Sequence, residues 1–464
     1  PMRDLLILGA GPAGMAAATE AARLGLSATL LDEAEGPGGQ IYRAITTGGA
    51  SRAPLLGADY MHGATLAKDL MASPVEQIFT ATVWDIAKSA EGVTLTYSRN
   101  GQAAQITGKT LLLVTGAIER PVPIPGWTLP GVMTAGAGQI LLKASGILPE
   151  RAVLAGSGPL LYLLAVQMAR AGMPPLALVE TQSTRDILRA APLLLPGLRG
   201  WRTLLKGLGL LAELRRHGVR RITAATDLAV LGTDHATALR FRAQGRVQEI
   251  ACATVMLHQG VVPNTQATRA LRLDHQWLPR QRAFAPVCDA AGATSAPGIY
   301  VAGDGSGIAG AKAAADAGRL AALTIAASLG HLTEAARRAQ SRAPAARLSA
   351  ERALRPFLDT AYPVPEAVLR PADGTTVCRC EEITAGQIRN WGRKGAMGPN
   401  QLKAFGRPGM GPCQGRSCAL TLTELLAETH GSSPAEIGLG RIRPPLKPVT
   451  LGELASLHEG DTPL

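Results

Sequence analysis

The sequence predicts an α/β protein in which two strand–turn–helix–strand units precede a small helical module, and three observations carry that prediction. A glycine-rich turn follows a short apolar strand at residues 5–14, a second such turn follows a strand near Gly156, and four of the six cysteines fall in two tight pairs, Cys378/Cys380 and Cys413/Cys418. At 464 residues the chain exceeds one ordinary core, so two or three domains are expected. Hydrophobic residues make up 46% and charged residues 18%, the balance of a globular protein. Aromatics at 3% and 53 glycines favour close helix–strand layers over an aromatic-rich β fold.

The same composition bears on partners. The net charge of +12 comes mostly from scattered arginines. No basic patch with interleaved aromatics appears, so nucleic acid is not an expected partner. The opening PMRDLLILGAGPAG leads from a short apolar run into glycines and a helix, unlike a signal peptide. No apolar run reaches the roughly eighteen residues of a membrane span. The expectation is a cytoplasmic chain without an integral membrane segment, where clustered cysteines hold metal more often than they form disulfides.

In the first unit Leu5 to Leu8 form the strand, Gly9, Gly11 and Gly14 frame the turn around Pro12 and Ala13, and an alanine-rich helix follows. Ala28 to Leu31 form the next strand, which ends at Asp32. Gly9 permits the tight turn, Gly11 lets backbone approach a pyrophosphate, and Gly14 lets helix and strand pack closely. The pyrophosphate would rest on the N–H groups at the helix N-terminus. Asp32, eighteen residues after Gly14, is placed for adenosine ribose hydroxyls, with Glu33 the neighbouring candidate. A glycine turn without a ligand is the bland alternative, and the joint placement of strand, helix and acid weighs against it.

The fingerprint serves NAD and FAD alike, so two further segments decide. LLLVTGAIERPVPIPG (111–126) reads as a strand ending in Thr115-Gly116, and PGIYVAGDGSGIAGAKAAADAGR (297–319) as a strand ending in Gly303-Asp304 before a helix of small residues. An aspartate there can bond ribityl or pyrophosphate-side hydroxyls, while the helix N-terminus faces the flavin pyrimidine. Together and in this order, the three segments resemble the two-dinucleotide-domain flavoproteins of the glutathione and thioredoxin reductase superfamily, over roughly residues 1–330. The resemblance implies FAD at the first site, with Gly39, Gln40 and Val83 completing its lining.

The second unit, RAVLAGSGPLLYLLAVQMARAGMPPLALVET, carries Gly156 and Gly158 but Leu161 at the third glycine position. A leucine there spreads helix from strand and weakens the case for a nucleotide, whereas Glu180 would favour NAD over NADP if one bound. A retained fold without working NAD binding and a functional nicotinamide site both stay open. The redox cysteine pair of disulfide reductases is missing: the first place for it reads PGGQIYR, and in the other Cys252 stands alone. Cys252 and the equally solitary Cys288 read as inert core thiols. His258, a lone histidine at a strand end, reads as structural.

The four clustered cysteines follow C-x-C, thirty-two residues, then C-x4-C. Disulfides fit poorly, because a C-x-C loop is too tight to bridge. Zinc usually takes C-x2-4-C pairs, and a 2Fe–2S cluster takes four thiolates, two per iron; the cluster is favoured, with zinc and metal-free thiols left open. Arg379, Lys403, Arg407 and Arg416 could offset the cluster's negative charge, and Gly409, Gly411 and Gly415 allow N–H groups near the sulfurs. Thr384 is a plausible N-cap for a helix over 384–389. The segment VCRCEEITAGQIRNWGRKGAMGPNQLKAFGRPGMGPCQGRSC resembles the bacterioferritin-associated-ferredoxin-type 2Fe–2S domain, which implies Cys378, Cys380, Cys413 and Cys418 as ligands.

The order of these modules, with HQGVVPNTQ (258–266) and the late RIRPPLKPVTLGELA (441–455), resembles the α subunit of heteromeric FAD-dependent amine and amino-acid dehydrogenases. These include opine oxidase, D-hydroxyproline and proline dehydrogenases, and hydrogen cyanide synthase. The resemblance implies an electron-transfer role, with the C–N bond oxidised in an FAD-containing β subunit, a small γ subunit in some assemblies, and FMN at a subunit interface in some members. This chain itself offers no acid/base constellation, so no catalytic residue is assigned. A self-sufficient NAD(P)H-dependent reductase and a scaffold subunit with a structural nucleotide are the alternatives. The expected organisation is a discontinuous FAD-binding domain (1–125 and 285–334) and an inserted second Rossmann-like domain (126–284). A linker (335–372), a 2Fe–2S domain (373–430) and a tail (431–464) follow.

Overall fold

In the computed structural model, which describes residues 2–459, the run RDLLIL forms the strand Arg3–Leu8 with its four central residues buried. A continuous apolar run suits a strand covered on both faces. It lies parallel to Ala28–Leu31 on one side and to the second half of the long strand Gln102–Leu113 on the other. Glu76–Ile78 extends the sheet beyond Ala28–Leu31. Gln102–Leu113 serves two sets of partners. Its first half pairs antiparallel with Val93–Arg99, which pairs with Thr82–Lys88, and its second half takes Ile299–Val301 in parallel. The late AGDG segment is thereby delivered to the same sheet, two strands from the N-terminal glycines.

Two helices cover one face of this sheet, Pro12–Arg23 and Ala311–Ser328, and small residues let them touch. A Cβ on Gly318 would fall 2.1 Å from the Ala13 carbonyl oxygen, so no side chain fits there. Around that contact Ala16, Ala17, Ala321 and Ala322 are almost wholly buried in one core. The scarcity of aromatics follows from this close approach: the helices pack backbone to backbone.

The inserted unit repeats the plan. Its five parallel strands run in the order Arg221–Ile222, Ala177–Glu180, Ala152–Ser157, Thr254–Gln259, Val132–Thr134, beside an antiparallel meander of Thr226–Leu231, Ala238–Ala243 and Arg246–Ala251. Two short antiparallel strands, Ala117–Glu119 and Val261–Pro263, join it to the first unit. The helix Trp201–Arg216 and the turns before it leave Leu195, Leu198, Trp201, Leu205 and Leu208 more than half exposed.

Residues 335–372, expected as a linker, are largely helical: Glu334–Ala353, Arg355–Ala361 and Glu366–Leu369. Alanine and arginine are strong helix formers. Thr333 caps the first helix, Leu348 joins the core of the first unit, and Phe357 and Ala361 are buried in a smaller cluster. The basic, proline-containing composition read as a connector because Leu348, Leu354 and Phe357 are too few to reveal a buried face.

The C-terminal module pairs Thr376–Cys378 with Ile383–Thr384 and packs helices Ala385–Arg393, Pro399–Gly406 and Ala419–His430 around Ile388, Leu402, Leu422 and Leu425. Thr384 caps the first of these helices in a capping box with Gln387. The tail then returns to the first unit: Ile442 and Leu446 enter the core with Leu31 and Val83, and the Leu446 N–H donates to the Trp84 carbonyl at 2.7 Å. Residues 1 and 460–464, at the ends of the first domain and the tail, lie outside the described residues. Among the described residues, no helix is long and apolar enough to cross a membrane.

Candidate functional site

The three glycine-bearing segments of the first unit converge. Gly9 has φ +117°, and a Cβ on it would meet the Val114 carbonyl oxygen at 2.5 Å; one on Gly14 would lie 1.9 Å from the Gly9 oxygen. Gly11 precedes the helix Pro12–Arg23, Pro12 is its first residue, and no side chain caps it. The first-turn N–H groups are therefore left for an anion, as a dinucleotide pyrophosphate requires. On the far side, a Cβ on Gly303 would sit 3.0 Å from the Ala13 Cβ. Asp304 does not cap that segment with a free carboxylate: its Oδ1 accepts from Ala309 and Gly310 N–H at 2.9 and 3.0 Å, fixing the entry to Ala311–Ser328. Thr115 and Gly116 follow the central strand, and the Gly116 carbonyl accepts from the Asn264 N–H at 3.0 Å.

Asp32 stands at the lip of this cradle, half-buried, and ties it together. Its Oδ2 accepts from Ala10 N–H at 2.5 Å and its Oδ1 from Ala34 N–H at 2.7 Å. Burial raises its pKa, and these two bonds oppose the rise without cancelling it. Glu33 points outward to Lys447 Nζ at 2.5 Å. Gly38 N–H donates to the Ala10 carbonyl, and Gly39 lies so close to Gly11 that a Cβ would fall 2.9 Å from the Gly11 Cα. Gln40 is exposed; its carbonyl accepts from Lys143 Nζ and its Oε1 from Arg43. Val83 is buried beside Leu31 and Ala81, and it meets the cradle through that core, two residues after Ala81 N–H donates to the Asp32 carbonyl. The small-residue contacts and uncapped helix start fit a dinucleotide at this place.

In the inserted unit the acid at the corresponding strand end is engaged by its own neighbours. Glu180 is fully buried, and its carboxylate takes bonds from Arg221 Nε at 2.9 Å, Tyr162 Oη at 2.6 Å and Gln182 Nε2 at 2.5 Å. Burial, with the negative charge beside it, pushes the Tyr162 hydroxyl well above its usual pKa, so it stays a donor. Leu161 fills the third glycine position and is wholly buried. The His258 ring stands 3.4 Å from where a Gly158 Cβ would project. His258 is not solitary: its Nδ1 lies 2.5 Å from Glu119 Oε1, and Glu119 Oε2 accepts from Gly136 N–H at 2.7 Å.

The four clustered cysteines meet as two sulfur pairs, Cys378 with Cys418 and Cys380 with Cys413, all as free thiols. Cys378 and Cys418 are buried, Cys413 is half-buried and Cys380 exposed. The bond donated by Cys418 holds the Cys378 pKa near 6 against burial, helped by N–H groups of Gly409, Glu381 and Cys380. Cys418, as the donor, is pushed up. Among the described residues no three His, Cys, Asp or Glu side chains converge as ligands of a single metal ion. Of the cations expected nearby, Arg416 donates to the Cys413 carbonyl at 3.2 Å. Arg379 stacks over Trp127, Arg407 faces Glu381 at 3.4 Å, and Lys403 donates to the Arg441 carbonyl. Cys252 and Cys288 lie apart, their thiol pKa values raised by burial.

A short chain of contacts links cradle and cysteines. Asn264 bonds Gly116, and two residues on, Gln266 Nε2 donates to the Gln414 carbonyl at 3.2 Å, next to Cys413.

Comparison with known proteins agrees with this geometry. Residues 3–318 match the pyridine nucleotide-disulphide oxidoreductase family. The chain belongs to that family. Residues 375–458 match the sarcosine oxidase A3 domain. An opine oxidase subunit of Agrobacterium tumefaciens is 46% identical over 98% of this chain and 92% of its own length. The hydrogen cyanide synthase subunit HcnB of Pseudomonas protegens is 31% identical over 96% of each chain. Among solved structures, L-proline dehydrogenase from P. horikoshii superposes with a TM-score of 0.71 at 19% identity, over 98% of this chain and 79% of that one. The family and fold make this chain a FAD-dependent oxidoreductase with two dinucleotide-binding domains.

Within the family frame, sequence reading missed groups whose partners lie far along the chain. Glu119 gives His258 its partner across about 140 positions. Arg269, half-buried, has its pKa drawn down to about 10 by desolvation and lies within charge reach of Cys418. Lys143 and Arg43 flank Gln40. Glu119 and Arg43 lie inside segments read for other residues, and no local signal marked Arg269 or Lys143.

Proposed function

We propose that this chain is the electron-transfer flavoprotein subunit of a heteromeric dehydrogenase or oxidase that oxidises the C–N bond of an amino acid, imino acid or opine. In this reading the substrate site lies in an FAD-containing β subunit, a small γ subunit is a further component, and the assembly is cytoplasmic. FAD is held by Gly9, Gly11, Pro12, Ala13 and Gly14 at the pyrophosphate and by Asp32 at the ribose, with Thr115, Gly116, Gly303 and Asp304 along the rest of its length. Cys378, Cys380, Cys413 and Cys418 hold a 2Fe–2S cluster. Bound FAD accepts two electrons together and releases them singly, and such a cluster carries one.

The observation that carries the proposal is the contact chain from Gly116 through Asn264 and Gln266 to Gln414, which seats the cysteine loop against the flavin cradle. The donor set also suits a two-iron centre: four thiols on two segments, N–H groups on Cys378, and the cations Arg269 and Arg416 close by. The relatives named as subunits of opine oxidase support a partner chain. Against a self-sufficient nicotinamide reductase stands Glu180, whose oxygens are already bonded to Arg221, Tyr162 and Gln182.

An anaerobic absorption titration of the purified chain tests this. NADH leaves the flavin and cluster bands unmoved, and dithionite bleaches both. Bleaching by NADH at catalytic rates would instead establish the nicotinamide reductase. Iron and sulfide analysis that finds neither would remove the cluster from the proposal.

A further inference from the structure

Lys143 lies near the end of the helix Ala135–Ser145, in the inserted unit, and its side chain is 2% exposed. Its Nζ donates to Gln139 Oε1 at 2.8 Å and to the Gln40 carbonyl at 3.3 Å, and lies 6.0 Å from the Tyr60 ring centre. Gln139 is itself held by Gln167, which donates to the Leu56 carbonyl, so the contacts are all neutral. The charge that acts on Lys143 is a like one, Arg43. Arg43 in turn donates to Gln40 Oε1 at 3.1 Å, while its Nε is buried without a partner. Two cations thus converge on Gln40 from two domains, and among the described residues neither has a carboxylate in ion-pair contact.

A buried cation without a counter-charge is costly, and native structures supply one. Gln40 directly follows Gly39, which touches Gly11 of the pyrophosphate turn, and Arg43 lies within charge reach of Asp32. We propose that Lys143 and Arg43 form a cation pair whose counter-charge is the bound dinucleotide, with Lys143, already enclosed by protein, acting on the flavin site through Gln40 and not by touching the ligand. The burial that draws the Lys143 pKa to about 7 agrees with a site completed only when an anion arrives. Within FAD the negative charge is either the pyrophosphate or the ring once reduced. The proposal rests on FAD occupying the first cradle.

The test compares wild type, Lys143→Met and Lys143→Arg as full-length chains freed of FAD and titrated with it, and measures flavin midpoint potentials after reconstitution. Lys143→Met is expected to weaken FAD or its reduced form by about tenfold or more, and Lys143→Arg to restore binding to within about threefold. If the pyrophosphate is the partner, oxidised FAD and ADP-ribose both bind more weakly and the potential holds. If the reduced ring is the partner, oxidised FAD binds normally and the potential falls. Unchanged FAD affinity together with unchanged potential in Lys143→Met overturns the proposal. So does equal loss in the Met and Arg variants matched by equal loss of thermal stability. Should Lys143→Met fail to fold, Arg43→Met, at a half-buried site, is judged by the same criteria. A wild-type chain that takes up no FAD fails the underlying reading instead.

Discussion

At the level of single residues, the flavin cradle depends on atoms that are not there. A methyl group at position 14 would lie 1.9 Å from the Gly9 carbonyl oxygen and 3.2 Å from a Val114 methyl, so backbone must move to admit it. Gly14→Ala is therefore expected to purify without bound flavin and to lose about 1–3 kcal/mol of stability by overpacking. Flavin absorbance per chain and a thermal melt read both effects, and a stoichiometric yellow Gly14→Ala protein would contradict the cradle. The strand–helix–strand unit around Gly9, Gly14 and Asp32 was legible because its logic is local. The charged residues around it were not legible for the opposite reason. Lys143, Arg269 and Glu119 each meet a partner from a segment about 100 or more positions away, which their local sequence does not announce.

The elements tell a related story in the inserted domain. It keeps the strand order and the glycine turn of a nucleotide-binding fold, yet the acid that should greet a ribose serves the fold. Glu180 joins the strand Ala177–Glu180 to Arg221 of its neighbour strand and to Tyr162 of the covering helix. Glu180→Ala would leave the Tyr162 hydroxyl buried without its acceptor and the partly buried Arg221 without its carboxylate, a loss of about 3 kcal/mol. The variant is expected to melt earlier and to remain as indifferent to NADH as wild type. A change in NADH reactivity with stability preserved would mean that Glu180 serves a ligand instead. Leu161 already pointed this way in the sequence, whereas Arg221 did not, because strand pairing alone brings it beside Glu180. Residues 335–372 show the converse limit: sparse apolar residues hid helices whose buried faces are covered by neighbours in the fold.

For the whole molecule, the chain does not read as modules strung in order. The cysteine module sits against the rest of the chain through Gln266–Gln414, Arg282–Glu424 and the Trp127 indole N–H of the inserted unit, which donates to the Thr376 carbonyl at 2.7 Å. The tail beyond it goes further and becomes part of the flavin unit's own core. Ile442 and Leu446 are 9% and 5% exposed in one core with Leu31, Ile78 and Val83, Leu31 being the last residue of the strand before Asp32. Lys447 then reaches Glu33, next to Asp32, and Arg416 of the cysteine loop donates to the Leu446 carbonyl at 2.9 Å. One strap thus holds both the lip of the cradle and the loop that carries Cys413 and Cys418. Leu446→Ala removes the packing and leaves the backbone bonds, at a cost of about 2–5 kcal/mol for a buried leucine. Because that cost falls on the flavin unit, the expected result is release of flavin, followed by its fluorescence, at a lower temperature than in wild type. Hydrogen exchange should quicken in 29–33 and 413–418 together, while the sheet of the inserted domain keeps its protection. A variant that loses protection only within the tail, with flavin release unmoved, would show the strap to be a surface attachment, and the coupling of the two sites would then rest on Gln266 and Gln414.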